Sequence, residues 1–227
     1  MNASLFIARK LRFRRSIVTA SIAISFLVMI LAVTISSGFR HEIRGGLSSV
    51  MGDIQILPPD MNMLDESSPI EASPEYLPSV LELEGVSSVT PAVYKAGIVK
   101  NDDSIHGIVF KGMEGGPAAI SGVEIPDSVS FPVSIPSRLA EIASLGVGDK
   151  LLAYFVGEKL KVRRFNIVSV HDVMLEADDK IVVVAQISDM QRLLGWNETD
   201  ASSLEIVLDH DHKNEHEIER LTMEIGS

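Results

Sequence analysis

Residues 135–156 read IPSRLAEIASLGVGDKLLAYFV, and this stretch decides the predicted fold class. Four apolar residues recur in it at helical spacing: Leu139, Ile142, Ala143 and Leu145. Ser137 stands where an N-cap belongs, and the glycines of GVGD (146–149) predict the end of the helix. A turn explains GVGD better than a ligand cradle does, because a strand pattern follows at once. The stretch therefore predicts a helix that turns directly into a strand, as in an α+β domain.

The residues that follow continue this mixture of strands and helices. GEK (157–159) predicts a tight turn into a second strand, LKVRRFNIVSVHDV (160–173). Beyond it we expect a strand, a helix capped by Ser188, a last strand and a last helix: KIVVVA (180–185), SDMQRLLG (188–195), SSLEIVLD (202–209) and HKNEHEIERLTMEI (212–225). The last pattern is still amphipathic where the sequence stops, so we expect this helix to continue in a longer protein.

The residues that precede 135–156 predict more strands and two loops. Residues 86–100 and 104–113 are strand patterns joined by NDD (101–103), which favours a hairpin. Ahead of them lie a strand, VMGDIQILP (50–58), and a short helix, PEYLPSVLELEG (74–85), which we expect Gly85 to end. Proline, glycine and acidic residues predict loops over 58–75 and 113–132.

An uncharged apolar run, SIVTASIAISFLVMILAVTISS, occupies residues 16–37. As a helix its 22 residues would be about 33 Å long, enough to cross the hydrocarbon layer of a bilayer. Five basic residues lie directly in front of it: Arg9, Lys10, Arg12, Arg14 and Arg15. By the positive-inside rule they would keep the N-terminus in the cytoplasm and place the rest of the chain on the far side. The predicted domains are a basic leader (1–15), a transmembrane helix (16–37) and a periplasmic core domain (38–227).

Two alternatives remain open at this end of the chain. A cleavable signal peptide is one, although its apolar core is usually shorter and ends in a small-residue cleavage site. The leader itself reads either as a short amphipathic helix on the membrane surface or as a solvated basic segment.

The distribution of charge and the lack of cysteine exclude several classes of protein. The net charge is −11, five of the 20 Lys and Arg residues precede Ser16, and all 31 Asp and Glu residues follow it. So acidic a domain repels nucleic acid, and we expect no nucleic-acid partner. The chain has no cysteine, which excludes disulfides, thiolate metal sites and a lipid-anchored N-terminal cysteine.

No motif in the sequence predicts catalysis, a cofactor or a metal. There is no cysteine nucleophile and no GxSxG elbow, and GMEGG (112–116) lacks the Lys-Ser/Thr ending of a phosphate loop. DHDHKNEH (209–216) could hold a metal through His212 and His216, but a solvated acidic helix start explains it better. EADD (176–179) could bind a cation or form a soluble hairpin tip. We expect a non-catalytic protein without cofactor or metal.

Small residues four apart mark one side of the apolar run and allow another helix to approach closely. These candidate helix–helix contacts are Ser16, Ala20, Ser21 and Ser25. The run ends in a candidate coupling segment at the membrane exit: Ser37, Gly38, Phe39 and Arg40.

The order of these segments resembles the N-terminal half of ABC-transporter permeases of the lipoprotein-releasing type. The wider group includes the macrolide-exporter and cell-division permeases. The matching segments are FIARKLRFR (6–14), SGFRHEIR (37–44), MGDIQI (51–56), GVSSVTP (85–91), residues 135–156, FNIVSVHDV (165–173) and KIVVVAQISDMQRLLGW (180–196). The resemblance implies a first membrane helix followed by a two-lobed α+β periplasmic core domain like that of the macrolide exporter.

The resemblance also implies a function and its partners. Such permeases work in the inner membrane as homo- or heterodimers on cytoplasmic ABC ATPase subunits, and they transmit ATP-driven motion mechanically to the periplasm. The most direct implication is release of lipoprotein cargo to a carrier chaperone. The long hairpin that grips the chaperone in one subunit of the family is replaced here by residues 157–159, which puts chaperone binding in doubt. The alternatives are another permease type of the same family and a membrane-anchored periplasmic binding or sensor domain.

Overall fold

The computed structural model describes residues 19–35, 52–59, 68–101, 104–157, 160–172 and 181–226. The chain divides into two compact units, Met1–Gly45 and Gly46–Ser227, which are described separately below.

In the first unit, residues 19–35 are helical and are called α1. Every residue of α1 is exposed. The exposed fraction of its large apolar side chains is lowest at Leu31, with 50%, and highest at Ile35, with 69%. Among the residues that the structure describes, no helix combines the length and the apolar character needed to cross a membrane.

The described part of the second unit forms ten strands and five α-helices. The strands are β1 (Ile54–Ile56), β2 (Ile70–Glu71), β3 (Val86–Asn101), β4 (Ser104–Met113), β5 (Pro132–Pro136), β6 (Lys150–Phe155), β7 (Lys161–His171), β8 (Ile181–Gln186), β9 (Asp200–Ala201) and β10 (Ser203–Leu208). The helices are α2 (Leu77–Leu81), α3 (Gly116–Ser121), α4 (Ser137–Ala143), α5 (Ile187–Leu194) and α6 (Glu215–Ile225). The predicted α+β mixture is therefore confirmed.

Six of the strands form a sheet that closes on itself. The large sheet runs β1-β10-β3-β4-β8-β5-β7-β6, and β3 also pairs with β6 through Ile98↔Tyr154 and Val99↔Ala153. The set β3-β4-β8-β5-β7-β6 thus forms a closed sheet, in which β4–β8 and β5–β7 are parallel and the other neighbours antiparallel. Closure matters because it leaves these strands without an open edge for another chain to pair with.

A hydrophobic cluster fills the inside of the closed sheet, with residues from all six strands and from α4 and α5. Its centre is aromatic: the Phe110 ring lies 4.7 Å from that of Phe165 and 5.0 Å from that of Phe155, between centroids. Gly97 makes room for them, because a Cβ there would stand 3.1 Å from the Phe155 ring and 3.2 Å from the Phe110 ring. The sequence thus places a glycine on β3, the strand next to both β4 and β6, where the rings need space.

Strand β3 joins this closed sheet to a second hydrophobic cluster. Its 16 residues would extend about 50 Å, and its first half pairs with β10 rather than with β6. The second cluster packs beside that half: Ile54, Val80, Ile206, Leu208 and Leu221, from β1, α2, β10 and α6. One strand is therefore shared by two cores of a single compact unit.

The structure corrects two predicted loops. Residues 113–132 contain α3, and residues 58–75 contain β2, which pairs with β9. Helix α3 has six residues and is bounded by Gly115 and Gly122, both with a positive φ. It was predicted as loop because a helix this short shows no apolar periodicity, whereas its glycines and proline carry strong turn signals.

The predicted caps at Ser137 and Ser188 are wrong. Helix α4 begins at Ser137 itself and α5 at Ile187, and neither has a side-chain cap. In both places an extended strand residue, Pro136 or Gln186, runs straight into the helix without a loop. The α4 helix also ends at Ala143, before Gly146, because Ser144 takes the left-handed conformation with φ 53°. Ile142, predicted to lie on the apolar side, is 39% exposed.

Gly112 on β4 offers a test of how tightly α5 packs on the closed sheet. A Cβ at this position would lie 2.8 Å from Met190 Cγ and 3.1 Å from Ile187 Cα. We expect Gly112→Ala to lower the free energy of unfolding by about 1–3 kcal/mol, because the helix backbone must move. Gly107→Ala, on the same strand but with open space around its Cβ, should change it by less than about 0.5 kcal/mol. Equal effects in denaturant titrations of the two variants would show that α5 is not held this closely.

Candidate functional site

Three of the four predicted helix–helix contact residues lie on the described part of α1. Ala20, Ser21 and Ser25 are exposed there, and the Ser25 hydroxyl donates to the Ser21 carbonyl at 3.0 Å. This bond satisfies the Ser25 hydroxyl within the helix, so Ser25 presents a small side chain rather than an unpaired polar group. Their contact role remains a prediction. The fourth residue, Ser16, and the coupling segment Ser37, Gly38, Phe39 and Arg40 lie outside the described residues.

The described residues bring together no group of three or more histidine, aspartate and glutamate side chains that could hold a metal ion. His212, one of the two histidines weighed as ligands, packs its ring on Gly85, where a Cβ would stand only 2.7 Å from the imidazole Cγ. His216 is exposed on α6. These positions give His212 a packing role against a glycine with φ +98°. EADD (176–179) lies outside the described residues.

Sequence reasoning missed a buried charge cluster that ties together four strands of the sheet. Lys111 on β4 is fully buried, and its Nζ lies 2.5 Å from Glu205 Oε2 on β10. The Tyr94 hydroxyl on β3 donates to Glu205 Oε1, which also accepts from Gln55 Nε2 on β1 at 3.4 Å. Both oxygens of a buried carboxylate are thus satisfied by donors from three different strands.

Burial sets the electrostatics of this cluster. It raises the pKa of Tyr94, and the adjacent Glu205 carboxylate raises that pKa further. Burial lowers the pKa of Lys111, while the same carboxylate opposes the shift by attracting the ammonium group. Tyr94 therefore stays a neutral donor, and the pair Lys111–Glu205 links β4 to β10 across β3 by an interaction that depends on both partners.

A second buried polar cluster lies between β5 and β7. The Ser134 hydroxyl lies 2.8 Å from His171 Nδ1, and all of Ser134 is shielded from solvent. Among the described residues, His171 Nε2 and the Ser169 hydroxyl are buried without a hydrogen-bond partner. A serine beside a histidine suits a nucleophile, but this hydroxyl has no exposed surface from which to reach a substrate.

His171 predicts an acid sensitivity. Burial lowers its pKa from the ordinary 6.5, against a smaller opposing effect of Asp172, so the folded protein holds it neutral. Below about pH 6.5 the unfolded chain binds the additional proton, and stability falls as the pH drops toward the lowered pKa. We expect His171→Asn, which keeps a partner for Ser134, to flatten this part of the stability–pH curve. The exposed His216→Asn should leave it as in the parent; a parent curve that is already flat between pH 5 and 6.5 would contradict the prediction.

Two clefts, of about 500 and 550 Å³, lie on either side of segment 123–130. The smaller one is lined by Phe131, Asp189 and Arg192, and the Arg192 guanidinium lies 5.7 Å from the centroid of the Phe131 ring. Phe131 has a left-handed backbone, with φ 51°. Both clefts share Ile125, Pro126, Val129 and Ser130. The segment is therefore flanked by open space on two sides, and its surroundings combine apolar walls with one ion pair, Arg192–Asp189.

Comparisons with known proteins give structural similarity only. No family model and no curated protein matches the chain. Solved structures that are similar to it include the following three. The extracellular domain of the noncanonical ABC-type transporter YknZ from Gram-positive bacteria has a TM-score of 0.41 and 13% identity, over 77% of this chain and 96% of that one. The periplasmic region of MacB from Actinobacillus actinomycetemcomitans has a TM-score of 0.39 and 16% identity, over 66% and 70%. A domain from Porphyromonas gingivalis, described as part of a permease protein, has a TM-score of 0.37 and 19% identity, over 70% and 77%.

The connection between β6 and β7 is short, as the sequence predicts. Strand β6 ends at Phe155 and β7 begins at Lys161, and these two residues pair directly. Only residues 156–160 connect them, of which 158 and 159 lie outside the described residues. This part of the chain therefore has no room for a long projecting hairpin.

Proposed function

We propose that this chain is the N-terminal part of a non-catalytic permease subunit of an ABC transporter in the inner membrane. Residues 1–15 would lie in the cytoplasm, residues 16–37 would cross the membrane, and residues 38–227 would form the periplasmic domain. The observation that carries most weight is α1, which is helical over 19–35 and exposes apolar side chains along its whole length. A helix that is hydrophobic all round suits a lipid environment, and five basic residues precede its run.

The architecture of the second unit supports a mechanical role for it. A strand shared by two cores, a closed sheet and a buried ion pair that links β4 to β10 would resist deformation. Such a body could pass on a movement of the membrane helix as a unit instead of absorbing it. The proposed work is the transfer of ATP-driven motion from cytoplasmic ATPase subunits to a substrate in the periplasm.

Lipoprotein release is the specific activity we propose, on the strength of the sequence resemblance. A second permease subunit would complete the membrane part, with Ser16, Ala20, Ser21 and Ser25 facing other helices and Ser37, Gly38, Phe39 and Arg40 coupling helix to domain. With residues 156–160 alone between β6 and β7, capture of a carrier chaperone by a long hook is not part of the proposal. Export of a macrolide or a role in cell division would use the same mechanics.

Copurification of the full-length protein from membranes tests this proposal. We expect an ABC ATPase subunit to be recovered with it. The double variant Ala20→Leu/Ser21→Leu should weaken recovery, because larger side chains would prevent close helix approach. Val28→Leu, which enlarges an α1 position outside the small-residue set, is the matched control. Repeated recovery of the protein without any ATPase would overturn the proposal.

The two clefts beside segment 123–130 favour one alternative, a membrane-anchored periplasmic binding or sensor domain. The same copurification separates the two functions, since a sensor needs no ATPase. Saturable binding of a small molecule that Arg192→Ala abolishes, in a protein that never recovers an ATPase, would establish the alternative.

A further inference from the structure

One outer face of the closed sheet is apolar where a solvent-facing sheet would be polar. Ile98, Tyr154 and Val162 form a row of direct cross-strand partners on β3, β6 and β7, and Gly107 on β4 completes it. Residues two positions away point to the same side of their strands. Ile105 on β4 and Leu152 on β6 therefore lie on the same side as the row. These six residues form the outer row face: Ile98, Ile105, Gly107, Leu152, Tyr154 and Val162.

The outer row face is open to solvent within the described part of the chain. Ile105 is 70% exposed, Val162 43% and Leu152 37%. Gly107 stands at one end of the row, and a Cβ built on it would meet no atom within 4 Å, so nothing packs over that end. Ile98 and Tyr154 in the middle of the row are half-buried. An uncovered apolar face of this kind, on strands whose other side already forms a core, indicates a contact surface.

The charges on this face are opposite to those of the domain as a whole. Lys100 pairs with Ile105 and Arg164 pairs with Leu152, and both cations are exposed. Lys150 lies two residues before Leu152 on the same side of β6 and is exposed as well. Among the described residues on the face there is no carboxylate, although all 31 acidic residues of the chain follow Arg15. This is therefore a part of the domain that an anionic surface would attract.

We propose that the outer row face rests on anionic phospholipid at the membrane surface. A lipid interface has two layers that this face matches. The aliphatic side chains and the tyrosine would enter the boundary of the acyl chains, and the lysine and arginine side chains would contact the phosphate groups. The inference rests on the proposed function, because a domain tethered by α1 stays close to a bilayer and needs only weak contacts to stay on it.

Site-specific labelling tests this proposal, and residues 1–227 contain no cysteine that would compete for the label. An environment-sensitive fluorophore is placed at Val162→Cys, with Met223→Cys on α6, 67% exposed, as the matched control. Both proteins are reconstituted in vesicles of phosphatidylcholine with phosphatidylglycerol, or of phosphatidylcholine alone. We expect brominated phospholipid to quench the Val162 label in the anionic vesicles and to leave the Met223 label unquenched.

Charge neutralisation separates lipid contact from other causes. Lys100→Gln with Arg164→Gln should shift the equilibrium away from the lipid-bound position about 30-fold, at about 1 kcal/mol for each cation near an anionic leaflet. Equal quenching at both labels would overturn the inference. A disulfide-linked dimer of the unlabelled Val162→Cys protein, together with an unquenched label in the labelled protein, would overturn it too, because a second copy would then be the occupant. Vesicle flotation is scored separately: a chain that does not float contradicts the proposed membrane helix, whereas one that floats with its Val162 label in water contradicts only the lipid contact.

Discussion

Lys111→Met is expected to lower the free energy of unfolding by about 3–5 kcal/mol, the range for breaking a buried ion pair by removing one partner. Methionine keeps much of the side-chain volume but leaves the Glu205 carboxylate buried at 4% exposure without its cation. Tyr94 and Gln55 would still donate to this carboxylate, yet neither carries a charge. Guanidinium unfolding of the full chain in detergent measures the effect through Trp196, the single tryptophan, which packs against the core of the closed sheet.

A double variant and an exposed pair serve as controls. Lys111→Met with Glu205→Leu removes both charges, so it should be more stable than Lys111→Met alone. Arg220→Met on α6 breaks exposed contacts with Glu217 and Glu224 and should have no measurable effect. A Lys111→Met variant as stable as the parent would show that the buried cluster does not hold β1, β3, β4 and β10 together.

Phe110→Ala is expected to cost about 3–5 kcal/mol for a different reason, the cavity that it leaves. The Phe110 side chain is fully buried against two other rings, and its ring lies close to Gly97, which has no side chain to fill the space. The closed sheet further limits collapse around the cavity, because each of its strands is held on both sides.

Ile105→Ala on the same strand is the matched control, since its side chain is 70% exposed and should contribute little to folding. Both variants are measured by the same Trp196 unfolding curve. If Phe110→Ala were no more destabilising than Ile105→Ala, the Phe110 ring would not be packed tightly at the centre of the closed sheet.

Local elements of this fold follow from the sequence, but its closure does not. Alternating apolar residues and NDD predict the β3–β4 hairpin because both strands are neighbours along the chain. The pairing of β3 with β6 and of β4 with β8 joins segments about 55 to 75 residues apart, and no local pattern encodes it. The predicted caps fail for the same reason, since Pro136 and Gln186 are held extended by strands paired at a distance.

The features proposed to carry function also divide into those that a local sequence pattern predicts and those that depend on distant pairing. The candidate contact residues of α1 can be named from the sequence because four-residue spacing defines one side of a helix, and their role stays a prediction. The charge cluster cannot be read from the sequence, because Lys111 and Glu205 are 94 positions apart in the chain. Their strands, β4 and β10, come close only because both pair with β3. The outer row face is hidden by LLAYF (151–155), which reads as a strand buried on both sides, whereas only Leu151, Ala153 and Phe155 are buried.

The central claim is that α1 belongs to a membrane helix that places the second unit outside the cytoplasm. Single cysteines at Asn2 in the leader and at Met223 on α6 test it with a maleimide that does not cross the inner membrane. The account predicts that Met223→Cys is labelled in cells with an intact inner membrane and that Asn2→Cys is labelled only after this membrane is broken. Labelling of Met223→Cys only after the membrane is broken would contradict it.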